Sequence, residues 1–259
     1  MRVMAVFRKE MMDTLKNKLL VYSLVPVPLI FLVISLAFIY FTSNQPPDPR
    51  EVENYLKLSP EFASIPPGEV LQIMVMGQFM FMFLMIPVFV PMTIATFSII
   101  GEKQARSLEP LLATPVRTWE LLLGKSLAAT VPAVGLTWIT YGLLILGMAI
   151  MAPPRVLAEV ASGMWLLAMA VIVPLLAVLA VNLGVLISSR ANDTRVAQQI
   201  GGMVVLPFVG LGIAQTAGLI MYSLPMFVAG AMVLALIDWG VLVAAVRLFH
   251  RETILTRWK

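Results

Sequence analysis

Gly124-Lys125-Ser126 reproduces the end of the phosphate-binding pattern G-x-x-x-x-G-K-[ST], in which backbone amides cradle a nucleotide's phosphates. The first glycine of that pattern should stand at position 119, which is Trp119; no strand precedes the segment and a long apolar run follows it. The segment is therefore expected to bind no nucleotide. Six methionines (Met74, Met76, Met80, Met82, Met85 and Met92) crowd one apolar stretch, and Met74, Met85 and Met92 share a helical face. Thioethers can hold Cu(I), but with no cysteine and one histidine, His250, flexible apolar packing is the preferred reading. No metal site is expected, and no nucleophile–base pair stands out for hydrolysis. Asp238 lies inside an apolar stretch, where a carboxylate is costly and faces other helices or water. Three readings of it stay open: a bond to a polar neighbour such as Asn182 or Gln215, a place in a pathway or ion site, and a position nearer the membrane interface.

The elements around these residues are those of a membrane protein. Of 259 residues, 60% are hydrophobic and 12% charged, whereas soluble domains run near 45–50% apolar and about a quarter charged. Mean hydropathy is +0.93. A spanning helix needs about 20 mostly apolar residues, because lipid offers the backbone no hydrogen-bond partner. Six stretches meet this: 19–42, 70–100, 126–151, 162–187, 200–221 and 226–247. The expected fold is all-α, with six transmembrane helices in a domain over 19–247. Pro87 and Pro91 predict a kink in the second span. Gly201, Gly202, Gly210 and Gly212 predict close helix packing in the fifth, with a hinge there as a further hypothesis. Residues 222–225 leave room only for a tight connection to the sixth.

Charge sets the orientation. Fifteen of the eighteen basic residues fall in 1–18, 101–125, 188–199 and 247–259, and only Arg50, Lys57 and Arg155 on the alternate side. The positive-inside rule then places both termini and the 101–125 loop in the cytoplasm. The first apolar run is too long for a signal peptide's core and is read as a retained span. Residues 1–18 predict an amphipathic interfacial helix, with Val3, Phe7, Met11 and Leu15 recurring at i+4. It is either a basic topology flank or a lever that joins a cytoplasmic partner to the first span. Residues 43–69 form an extracytoplasmic loop with six prolines and five acids, stiff and too small for a catalytic core. Residues 248–259 form a basic cytoplasmic tail.

The 101–125 segment gathers seven charged residues (Glu102, Lys103, Arg106, Glu109, Arg117, Glu120 and Lys125) around Leu108, Leu111, Leu112 and Val116. Glu102 and Arg106 are i,i+4 neighbours that can pair, and Thr114-Pro115 suits the start of the next helix. Leucines ringed by charge suit docking to another protein; an ordinary membrane-surface loop is the plainer reading. Glu102-Lys103, then Arg106 through Pro115, Glu120-Leu121 and Gly124-Lys125 resemble the signature loop of type-2 ABC-exporter permeases. The basic N-terminal helix, the six spans and the run Ser188-Ser189-Arg190 to Ala197-Gln198-Gln199 share that layout.

The resemblance implies a non-catalytic transport subunit whose loop holds a coupling helix seated on a separate cytoplasmic ABC ATPase. That ATPase, not this chain, would carry ATP and Mg. Glu102, Lys103, Arg106, Leu108, Glu109, Leu111 and Leu112 become candidate contacts to it. A second permease chain, identical or related, and membrane lipid are the other implied partners, with no nucleic acid, in the cell membrane. Residues 222–225 depart from the many relatives that carry re-entrant helices at this point. The alternative function is a membrane-integral anchoring or assembly protein that recruits a cytoplasmic partner without moving solute.

Overall fold

The computed structural model describes residues 2–43, 53, 64–104, 118–191, 193–216 and 222–248, and its regular elements are all helices. In chain order they are α1 (Arg2–Lys16), α2 (Lys18–Leu24), α3 (Pro26–Ser43), α4 (Pro67–Phe83), α5 (Ile86–Gln104), α6 (Thr118–Met151), α7 (Pro154–Val160) and α8 (Gly163–Leu167). A π-helical turn over Ala168–Ile172 leads into α9 (Val173–Arg190), followed by α10 (Thr194–Met203), α11 (Leu206–Thr216) and α12 (Leu224–Leu248).

Prolines decide where the long apolar stretches break. Pro26 and Pro67 open α3 and α4 at the first helical position, where the missing N–H costs nothing. The second stretch is interrupted at Leu84 and Met85, whose amides tighten to i−3 carbonyls, and Pro87 follows two residues later. The expected kink is thus present, and its cause is the donor Pro87 cannot offer Phe83. The fifth stretch repeats the device: Val204 and Val205 make i−3 bonds to Gly201 and Gly202, and Pro207 follows two residues later. In the fourth stretch Pro174 stands just after the π turn, and the Val173 amide bonds to the Ala168 carbonyl. In an α-helix that amide would serve Met169, and Pro174 has no N–H to replace it. The indole N–H of Trp138, from α6, donates to the Met169 carbonyl at 2.8 Å and closes the gap. Tyr141, on the same helix, donates its hydroxyl to the carbonyl of Val160, where α7 ends, at 2.9 Å.

The core is centred on α5 and α9, which pack along most of their length, with α6, α12 and α3 around them. Gly184 permits this approach: a Cβ there would lie 3.2 Å from both the Met92 carbonyl oxygen and the Ala95 Cβ. At the end of the molecule opposite α1, Trp165, Tyr222 and Phe227 meet edge to face with ring centroids 5.3–5.9 Å apart, and Phe81 stacks on Tyr222 at 5.6 Å. Gln72 there donates to the hydroxyls of Thr42 and Ser43, each at 3.1 Å, tying α4 to α3.

Five helical stretches among the described residues are long and apolar enough to cross a membrane: Pro26–Ser43, Pro67–Glu102, Trp119–Met151, Pro154–Ser188 and Leu224–Val243. The expected span at 200–221 is divided instead into α10 and α11, of 10 and 11 residues, because Pro207 breaks the helix. The start expected at Thr114-Pro115 and residues 249–259 of the expected tail lie outside the described residues. Replacing Trp138 with Phe should cost about 1 kcal/mol, the scale of an interhelical hydrogen bond in a membrane, measured by reversible unfolding in mixed micelles. Pro174→Ala restores an amide near Met169, so Trp138→Phe should cost less in that background. Strictly additive losses would disprove the link between the π turn and the indole.

Candidate functional site

Gly124 and Lys125, which imitate the phosphate loop, lie in the third turn of α6. A Cβ at Gly124 would meet the Val6 side chain at 2.7 Å and the Val3 carbonyl oxygen at 3.1 Å. The glycine therefore lets α1 lie directly on α6. Lys125 is 8% exposed, and its Nζ reaches Glu10 Oε1 at 2.9 Å, Glu102 Oε1 at 2.8 Å and Ser98 Oγ at 2.9 Å. A lysine so committed, on a helix whose amides are already bonded, does not fit a phosphate.

Glu10 is 5% exposed and completes the cluster from α1. Its Oε2 accepts from Ser98 Oγ at 2.7 Å, and its Oε1 accepts from Lys9 Nζ at 2.9 Å as well as from Lys125. Lys9, half-exposed, also reaches Glu102 at 3.2 Å and Asp13 at 3.4 Å. Ion pairs of α1 with α5 and with α6 thus meet at one point. Withdrawing such charges from water costs several kcal/mol each, offset only where every lone pair is met. Both carboxylate oxygens of Glu10 are met.

Burial would raise the Glu10 pKa, but the Lys125 ammonium, with hydrogen bonds from Lys125, Lys9 and Ser98, holds it below its ordinary 4.5. Desolvation would lower Lys9, yet the carboxylates of Glu10 and Glu102 hold it above its ordinary 10.5. The Glu10 contribution is complete above pH 4.5 and lost as the pH falls through the lowered folded value. The Lys9 contribution is complete below pH 10.5 and lost as the pH rises through the raised one.

Of the residues singled out in the 101–125 loop, Glu102 falls in this cluster. Lys103 is described only as backbone near the end of α5, and Arg106, Leu108, Glu109, Leu111 and Leu112 lie outside the described residues, as does the expected Glu102–Arg106 pair. Asn182 and Asp238 are buried on α9 and α12, which pack together. The bond expected between Asp238 and Asn182 or Gln215 is not made. Among the described residues both Asp238 oxygens, Asn182 Nδ2 and Gln215 Oε1 have no hydrogen-bond partner. Among the described residues no His, Cys, Asp or Glu group could hold a metal. Glu10 and Ser98 were missed by sequence reasoning. The signal was there: Glu10 continues the stripe Val3, Val6, Phe7 and Thr14, the inward side of α1.

Glu10→Gln should lower stability by about 3 kcal/mol, the scale of a broken buried pair, and free α1 to limited proteolysis. The wild-type thermal midpoint should fall as the pH drops below 4.5, and this dependence should be weaker in Glu10→Gln. An unchanged acid profile in the variant would remove Glu10 from that role.

A family model described as ABC-2 family transporter protein matches residues 4–238, from α1 to Asp238. No match was found among curated proteins. With the match covering nearly the whole chain, the protein belongs to the ABC-2 family of transporter membrane proteins.

Proposed function

We propose that the chain is the permease subunit of an ATP-driven exporter, working in the cell membrane as a dimer of permeases with separate ATPase subunits that hold ATP and Mg. The family match over residues 4–238 carries this reading. In it the chain crosses six times, α10 and α11 together making the fifth crossing, with both termini cytoplasmic as the basic residues require. The coupling loop leaves α5 just after Glu102 and returns into α6 ahead of Lys125. The Lys125–Glu102 pair at 2.8 Å ties those two helices, and Glu10 adds α1. A push on the loop by a closing ATPase would move all three as one body, tilting the second and third spans. Arg106, Leu108, Glu109, Leu111 and Leu112 are the proposed contacts, and Lys103 flanks them. Asn182, Gln215 and Asp238 are proposed as polar points of helix packing or of the path.

Leu111→Asp tests the docking without touching the charge cluster. It should weaken ATPase association at least tenfold, as expected for a buried interface leucine, while insertion and unfolding stay as in the wild type. Substrate-stimulated ATPase activity of the reconstituted complex is the measurement, and normal coupling in Leu111→Asp would sink the assignment. Glu10→Gln should keep ATPase binding but uncouple hydrolysis from transport.

A further inference from the structure

Helix α12 turns one stripe inward, Phe227, Ala231, Leu234 and Asp238, while Leu236, Ile237 and Trp239 are exposed. Asp238 stands about 16 Å along the helix from Phe227 and about 15 Å from Leu248, at roughly 1.5 Å per residue. Phe227 belongs to the cluster with Trp165 and Tyr222, and aromatic residues of that kind line a membrane interface. With the cluster at one face of a hydrocarbon layer about 30 Å thick, Asp238 lies near its middle. The residue is 7% exposed, and neither of its oxygens has a hydrogen-bond partner among the described residues. We propose that Asp238 is a proton-binding site, which holds a proton while α12 is packed on α9 and releases it when the two helices part and water enters. This deepens the assignment of Asp238 to the packing or path of a permease, and it rests on α12 crossing the membrane.

An ionised carboxylate in apolar surroundings is stable only beside a cation or several donors. The elements that pack on α12 are chiefly α9, the π turn and α8. Their one ionisable residue is Arg190, the last of α9; on α12 itself Arg247 follows more than two turns after Asp238. Asn182 of α9 is polar and buried, yet its Nδ2 serves no acceptor. A metal ion of the calcium kind takes about six or more oxygens, and among the described residues no three acids or histidines gather. A proton needs neither room nor a second ligand, and it removes the charge that an apolar seam cannot hold. On release the O–H bond breaks, its electron pair stays on the carboxylate, and the proton passes to the entering water. One arrangement of the seam thus binds a proton and the other gives it up.

The full chain is placed in nanodiscs with its four aspartates carrying 13C in the carboxyl group, and its infrared spectrum is recorded at pH 7. A labelled C=O band of a protonated carboxyl should appear, shift in D2O and vanish in Asp238→Asn. The amide keeps the shape and neutrality of the acid, so the thermal midpoint of Asp238→Asn at pH 7 should match the wild type. Leu234→Ser, and Leu234→Ala where the first does not fold, open the seam one turn from Asp238. They should weaken proton binding at least about tenfold, read as a fall of one unit in the pH at which the band is half lost.

An Asp238 signal of carboxylate alone, a band that persists in Asp238→Asn, or a collapse of that variant overturns the proposal. So does an unchanged titration of the band in both Leu234 variants. None of these measurements needs the ATPase, so a failure of ATPase association sinks the exporter reading and leaves the band where it is. Because the chain has no cysteine, a spin label on Trp239→Cys, at an exposed position, reports the depth of α12 separately. A label inside the bilayer with carboxylate alone at Asp238 defeats the site; a label in water defeats the crossing and the site with it.

Discussion

Lys125 and Glu10 meet at 2.9 Å with almost no contact with water. A buried cation and carboxylate in that position depend on each other, with Glu102 as the second partner of Lys125 and Lys9 as the second partner of Glu10. Several features exist because of this pair. Gly124 has no side chain, so α1 can come close enough for Glu10 to reach. Ser98 accepts from Lys125 and donates to Glu10, filling the place water would take. Lys9 lies over the outside of the cluster and bridges Glu10 to Glu102. Helix α1 is thereby fixed to two long helices by charge as well as by the packing of Val6 over Gly124.

The membrane-crossing part obeys a second constraint, that lipid cannot repair a broken backbone hydrogen bond. Pro91 in α5 and Pro132 in α6 sit within unbroken helix, but elsewhere an internal proline is absorbed by a local change. At Pro87 and Pro207 the chain absorbs it by tightening to a two-residue turn. At Pro174 it widens into a π turn instead, and the carbonyl left over is met by the Trp138 indole from the neighbouring helix. The first solution weakens a helix as a rod; the second binds it to another. The interruption in the fifth stretch lies beside the Gly201-Gly202 pair, where a Cβ on Gly201 would collide with the Met92 sulfur. An interruption and a tight approach thus lie side by side at the end of α10, while α6 is a continuous helix of 34 residues with Pro132 inside it.

The apolar stretches and the kink at Pro87 were legible in the sequence, because hydropathy and proline chemistry act locally. Pro207 was equally visible, but the glycines beside it drew the reading toward close packing, so a continuous fifth span was expected. The charge cluster was harder. By sequence Lys125 belongs to the phosphate-loop pattern and the 101–125 charge group, and nothing local links it to Glu10, since pairing across 115 residues depends on how three helices pack. Periodicity alone would have flagged Glu10, an acid on an otherwise apolar stripe. The family resemblance drew attention to Glu102 and the loop after it, yet offered no hint that Glu102 faces Lys125 and Lys9.

Scarcity of charge gives the cluster its mechanical meaning. Glu102 is the last acid of α5 before the loop, and Lys125 lies two turns into α6, so the 2.8 Å contact between them closes the base of that loop. A loop closed at its base cannot absorb a displacement by spreading its two stalks; the stalks move together or the buried pair breaks. Breaking it costs more than an exposed pair would, since exposed pairs contribute little. Under the proposed function, force applied to that segment would therefore pass to α5, α6 and, through Glu10, α1. Of these, α6 runs on as one helix of 34 residues with Pro132 inside it, whereas the second stretch is interrupted at Leu84 and Met85, between α4 and α5. Under the same reading, an interrupted second stretch beside a continuous α6 would turn a push at one end into a change of angle in the middle.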